Sequence, residues 1–313
     1  MKGLELSEAY YESFGKPIFE SDFSDLLPYM AVGLCGSGSE CYGFDDEISR
    51  DHDFEPGFCI FLPDESIISR RDAFRLERAY ANLPKSMNGI SRSIVSPAGG
   101  SRHGVIRIND FFRDKIGSEN GDLDFVEWLH LPDYALSEAT NGKLFCDFYG
   151  QITRIRNRIS YYPEDIRLKK LAGNVLMMAQ SGQYNYLRCT KHGETGAAQL
   201  AACEFVKSAM QSIFLLNRVY MPFYKWSFRS MRMLPKLSLL AELFEYLIST
   251  DNDATMVQDK LEVIESISSD IINELHEQKI SDALCDDLEK HAYSIQDHIK
   301  NSGVRNLHIL SAV

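Results

Sequence analysis

Asp51 and Asp53 stand one residue apart at the start of the stretch DHDFEPGFCIFLP, which runs from Asp51 to Pro63. In an extended strand alternate side chains share a face, so the two carboxylates point one way and His52 and Phe54 the other. A pair so placed can hold one or two Mg²⁺ ions, or Mn²⁺, hard cations that share oxygen ligands with a triphosphate. Upstream, Gly36, Ser37, Gly38 and Ser39 follow the apolar run YMAVGLCG. A turn of this composition lets backbone N–H groups and hydroxyls approach phosphate oxygens with no side chain in the way. A Gly-Ser turn alone is usually only a turn, and Asp-x-Asp alone a solvated strand end. Apolar strand, Gly-Ser turn, polar connection and Asp-x-Asp opening a second apolar strand, in that order, form a phosphate cradle followed by a metal clamp. Arg50 would neutralise phosphate or steady a carboxylate, a surface pair with Asp45 or Asp46 being the competing reading. Glu40, Asp45, Asp46 and Glu47 read as a solvated acidic loop, and His52 as a packed histidine.

The elements that must position these groups differ between the two halves of the chain. Strand-like runs fall at residues 29–36, 51–63, 103–110 and 143–150, and DESIISRRDAFRLERAYANLP reads as a helix. Beyond about residue 150 the apolar period becomes helical in five long segments separated by Gly, Pro or polar turns. The expected fold class is α/β (α+β): a mixed sheet with flanking helices over residues 1–152, then a helical bundle over residues 153–313. Met177, Met178, Phe214 and Leu215 read as core of that bundle.

Composition bounds the function. With 313 residues, 44% hydrophobic and 25% charged, the chain has the make-up of a globular protein of two domains. Neither a spanning apolar run nor a leader-like start is present, so a cytoplasmic protein without a membrane partner is expected. A net charge of −12 opposes a nucleic-acid interface, which needs clustered Lys and Arg. Seven scattered cysteines without a Cys-x-x-Cys pair read as inert thiols.

GSGSECYGFDDEISRDHDFEPGF, FCDFYGQITRIRNRISYYPEDI and RVYMPFYKWSFRSMRML, in this order, resemble three motifs of an uncharacterised bacterial family, domain of unknown function 4037, over residues 27 to 235. That family is placed with the polymerase-β-like nucleotidyltransferases. The resemblance implies a nucleotidyltransferase-like α/β domain over residues 1–152 followed by helices, a layout similar to aminoglycoside nucleotidyltransferases, with Asp51 and Asp53 as metal ligands. Gly38 and Ser39 match the Gly-Ser signature best by spacing, with Gly36 and Ser37 as the competing register. Related enzymes carry a third carboxylate on a following strand, yet GVIRIND has Ile106 and Arg107 there. Asp147 within KLFCDFYG is the preferred substitute and Asp110 the other.

Basic residues supply the remaining candidates. On a helix Lys225, Arg229 and Arg232 share a face able to meet a triphosphate, with pairing to acidic C-terminal helices as the alternative; the family motif favours Lys225 as a phosphate contact. Tyr220, Tyr224 and Trp226 would stack on a base or serve as core, and Arg154, Arg156 and Arg158 would line a cleft or tether domains. The expected function is transfer of a nucleoside monophosphate from an NTP to a hydroxyl of a small-molecule acceptor. A nucleotide-binding regulatory module without turnover, and a protein-interaction module on an α/β scaffold, are the alternatives.

Overall fold

The computed structural model describes residues 1–48, 54–92, 103–253 and 255–313. The chain opens with α1 (Gly3–Tyr10) and α2 (Lys16–Asp22), then β1 (Ala31–Leu34), β2 (Cys59–Leu62) and α3 (Arg70–Asn82). The hairpin β3 (Ser86–Met87) and β4 (Ile90–Ser91) precedes β5 (Gly104–Arg107) and α4 (Ile108–Ile116). Next come α5 (Phe125–His130), α6 (Asp133–Thr140), β6 (Lys143–Asp147) and α7 (Gln151–Arg158). The remainder is helical: α8 (Glu164–Met178), α9 (Leu187–Lys191), α10 (Thr195–Leu216), α11 (Tyr224–Met231), α12 (Leu240–Ser249), α13 (Met256–Glu277), α14 (Leu288–Asp297) and α15 (Ser302–Arg305).

Contacts divide the chain into two compact units. The first holds residues 1–123 and 134–160, the second residues 124–133 and 161–313. The expected cut at 152/153 would pass through α7, which belongs whole to the first unit.

In the first unit a four-stranded mixed sheet has the order β5-β2-β1-β6. β1 is antiparallel to both β2 and β6, and β2 runs parallel to β5. β1 and β2 are buried throughout, as their unbroken apolar sequences require of central strands covered on both faces. Val32, Ile60 and Leu62 pack into a core with Tyr10, Phe19 and Leu76. On the opposite face Phe61 meets Phe111 of α4 edge-on, with ring centroids 5.3 Å apart. Gly33 is required by the close approach of β6, because a Cβ there would lie 2.5 Å from the Lys143 carbonyl oxygen. Ser69 caps α3 by accepting from the Asp72 N–H.

Three strand ends differ from expectation. β2 begins at Cys59, and residues 54–58, expected as part of a strand over residues 51–63, are irregular. β5 stops at Arg107 and Asp110 lies in the first turn of α4, where a carboxylate meets the positive end of the helix dipole. Asp147 is the last residue of β6 instead of a central one.

The second unit is helical and built around α8, which is buried on all sides and packs on α10 and α14. Met178, Phe214 and Leu215 are core and Met177 half-buried. Cations are also buried: Lys260 donates to Thr250 O at 2.5 Å, Asn252 Oδ1 at 2.9 Å and Gln199 Oε1 at 3.1 Å. Among the described residues no helix is long and apolar enough to cross a membrane.

Candidate functional site

β1 delivers the chain into the glycine-serine turn. Gly36 adopts φ +126°, a conformation open to glycine and strained for any L side chain. The Asn141 side chain grips that residue from both sides. Its Oδ1 accepts from the Gly36 N–H at 2.9 Å and its Nδ2 donates to the Gly36 carbonyl at 2.7 Å. Arg156 of α7 in turn donates to the Asn141 carbonyl at 2.7 Å and to the Ala139 carbonyl at 3.2 Å. A chain of polar contacts from α7 through Asn141 therefore sets the turn. Gly38 lies against the Glu40 carboxylate, which a Cβ would approach to 2.0 Å.

The turn forms one wall of a cavity of about 480 Å³ within the first unit. Gly36, Ser37 and Gly38 face it across from Cys59 at the head of β2, Ile106 of β5 and Asp110 of α4. Ser37 lines the cavity, whereas Ser39 starts the single helical turn Ser39–Tyr42 beside it. Both glycines of the two registers, Gly36 and Gly38, line the cavity, and of the two serines Ser37 does. Asp114, one helical turn beyond Asp110, adds a second carboxylate to the α4 wall. His103 also lines the cavity; it is 8% exposed, with Nδ1 3.1 Å from Glu55 Oε1. Burial pushes the Cys35 thiol up, which keeps it protonated and a poor nucleophile.

Asp147 does not join this cavity. It pairs with Ala31 at the beginning of β1, while the turn follows Leu34, which pairs with Lys143 at the other end of β6. At a strand rise of about 3.3 Å per residue the two ends lie on the order of 10 Å apart. Its carboxylate accepts from the Gly150 N–H at 2.9 Å, the Thr153 N–H at 2.9 Å and the Thr153 hydroxyl at 2.7 Å. That is the work of a residue organising the start of α7, and it accounts for an acid at this strand end. Asp110, the other candidate, does reach the cavity, with Arg113 Nη1 2.7 Å from its Oδ1.

Arg50, Asp51 and Asp53 lie outside the described residues, as does His52. Lys225 and Arg229 are exposed on α11 in the second unit, with Lys225 Nζ 5.0 Å from the Trp226 ring centre. Arg232 pairs with Glu245 of α12, the acidic-helix partner expected of this face. Asp45 is no solvated loop residue: it is 4% exposed and accepts from the Gly3 N–H at 2.8 Å, tying the turn region to α1. Among the described residues no three His, Cys, Asp or Glu side chains gather closely enough to hold a metal ion. Asn141 and His103 escaped sequence reasoning because each lies far from the turn in the chain. The only signal for Asn141 was an Asn-Gly pair before a strand, which ordinarily reads as a turn.

Residues 128–227 match the model of a family described as a domain of unknown function, DUF4037. The matched residues include FCDFYGQITRIRNRISYYPEDI and the beginning of RVYMPFYKWSFRSMRML, and do not include the glycine-serine turn. No curated protein and no solved structure matches the chain.

Proposed function

We propose that the first unit is a metal-dependent nucleotidyltransferase of the polymerase-β-like kind, which moves a nucleoside monophosphate from an NTP to a hydroxyl of a small molecule. One observation carries this reading: Gly36, Ser37 and Gly38 at the end of β1 face the head of β2, the strand into which Asp51 and Asp53 lead, across a ligand-sized cavity. Backbone N–H groups of the turn and the Ser37 hydroxyl would receive the β and γ phosphates. Asp51 and Asp53 would hold Mg²⁺, which would neutralise phosphate charge and orient the donor. The acceptor oxygen attacks the α-phosphorus as the bond to the bridging oxygen breaks. Pyrophosphate leaves, and the hydroxyl proton passes to Asp110 on the cavity wall.

Incubation with each α-labelled NTP, Mg²⁺ and a fractionated extract should label a small molecule and so name donor and acceptor. Asp51→Asn is expected to lower transfer at least about a hundred-fold. A variant as active as the wild type would refute the catalytic reading. Ile106 in the cavity wall, where related enzymes place an acid, favours a second reading of nucleotide binding without turnover. Saturable Mg²⁺-NTP binding with no label transfer to any fraction would select it.

A further inference from the structure

The second unit contains a cavity of about 490 Å³ that the proposed transfer does not use. It opens at the start of α8 and at the C-terminal ends of α10 and α13. Three cations line it, Arg167, Arg218 and Lys236, against one carboxylate, Glu164. Arg167 is 1% exposed, and burying a guanidinium is expensive unless it is well paired. Its partner Glu164, 47% exposed, receives Arg167 Nη2 at 2.5 Å and Nε at 3.1 Å. The same carboxylate also receives Arg218 Nη2 at 2.8 Å. Burial acts to raise the Glu164 carboxyl, yet Arg167 and Arg218 hold it below its usual value. Two guanidiniums thus converge on a single half-exposed anion. Lys236 is served separately, by Glu274 at 2.5 Å and Glu277 at 3.9 Å.

Backbone strain concentrates in the same place. Among the described residues four non-glycines have positive φ, and three of them, Arg218 at 55°, Leu237 at 60° and Lys279 at 56°, stand in the connections that close this cavity. α10 ends with the Val219 N–H on the Phe214 carbonyl at 3.1 Å and the Arg218 N–H on that of Leu215 at 3.3 Å. α13 ends likewise, with Ile280 on Leu275 at 3.1 Å and Lys279 on His276 at 2.9 Å. Both are Schellman endings, whose left-handed position glycine fills without strain. At Arg218 the chain instead accepts the steric penalty and sends a guanidinium over the Tyr161 ring at 5.7 Å and onto Glu164. Capping does not explain that choice, because the Leu216 carbonyl is already taken by Gln278 Nε2 at 2.8 Å and the preceding two by the motif itself.

We propose that this cavity binds a small molecule carrying a phosphate-type dianion, held between the guanidiniums of Arg167 and Arg218 with Lys236 beside them. The Glu164 side chain moves into solvent as the ligand oxygens take its place. Two rigid forks suit a compact oxyanion with several acceptor oxygens, and Leu216, Pro235 and Ile280 offer apolar surface to the rest of the molecule. The site is independent of the glycine-serine turn and of the transfer proposed there.

The test is thermal unfolding of the full chain in EDTA at constant ionic strength, titrated with inorganic phosphate, pyrophosphate or malonate. A saturable rise in Tm with phosphate or pyrophosphate is expected. Arg218→Gly, which keeps the helix ending, should weaken that binding at least about ten-fold while its ligand-free Tm is unchanged or higher. Arg167→Met should lose binding as well, and Asp51→Asn should bind like the wild type. The proposal fails if the wild type shows no saturable shift, if Arg218→Gly binds as tightly as the wild type, if Asp51→Asn loses the effect, or if malonate binds more tightly than both phosphate species.

Discussion

The two cavities differ in where their candidate anion-binding groups sit, on the backbone of a turn in one and on side chains in the other. The one at the glycine-serine turn has one wall of backbone, Gly36 to Gly38, and another carrying Asp110, Asp114 and Lys115, and its shape depends on a neutral amide, Asn141, gripping Gly36. The one in the helical unit is lined by long charged side chains carried on helix ends that tolerate strain. In the first, recognition groups belong to the fold itself, so a change that harms the site harms stability. In the second, Arg167 is buried within α8 but Arg218 stands beyond the end of α10, so at Arg218 binding and stability separate.

That contrast can be broken experimentally. The largest effect is expected of Gly33→Ala, whose methyl would meet the Lys143 carbonyl at 2.5 Å and force β6 away from β1. A loss of about 3 kcal/mol in urea unfolding is expected. Asn141→Ala should cost about 2 kcal/mol, because it strips partners from both polar groups of Gly36. It should also weaken Mg²⁺-NTP binding at least about ten-fold, and Asn141→Asp, which keeps the acceptor for the Gly36 N–H, should recover part of that loss in equilibrium dialysis. If Asn141→Ala lost nucleotide affinity at unchanged stability, the coupling of site to fold in the first unit would be wrong.

Arg218→Gly should move the other way, gaining up to about 1 kcal/mol in the same urea measurement. A clear destabilisation would mean that the arginine serves the fold, and the contrast would collapse. The smallest effect concerns Lys260, whose ammonium is fully buried among neutral acceptors and whose pKa burial lowers. The unfolded chain then binds the proton more readily than the folded one. Lys260 therefore subtracts from stability below its folded pKa, and this penalty fades as pH rises to the ordinary lysine value. The stability of Lys260→Met relative to wild type should accordingly fall between pH 7 and about 10. A pH-independent difference would show that burial leaves this lysine's titration unchanged.

Much of the fold was legible because its signals are local. Apolar runs marked strands at β1 and β2, and the helical period after residue 150 marked the bundle. The hairpin β3–β4 was legible too, in Asn88-Gly89 with both residues at positive φ, and went unread between two longer elements. Asp147 reads in sequence as a mid-strand acid between Cys146 and Phe148, which has two explanations, a ligand or a cap. Three hydrogen bonds to the start of α7 identify the cap.

By itself the sequence determined the division into a mixed α/β part and a helical part, and the order of turn, carboxylate pair and apolar strand. Those follow from composition and period, which neighbouring residues set among themselves. Only the tertiary structure decided that Ser37 and not Ser39 faces the cavity, that Asn141 holds Gly36, and that Asp147 stands at the far end of β1. It alone gathered Glu164, Arg218, Lys236 and Gln278 around one space. Strand register and helix packing are satisfied by the whole core at once, so contacts between residues a hundred positions apart leave no periodic trace along the chain.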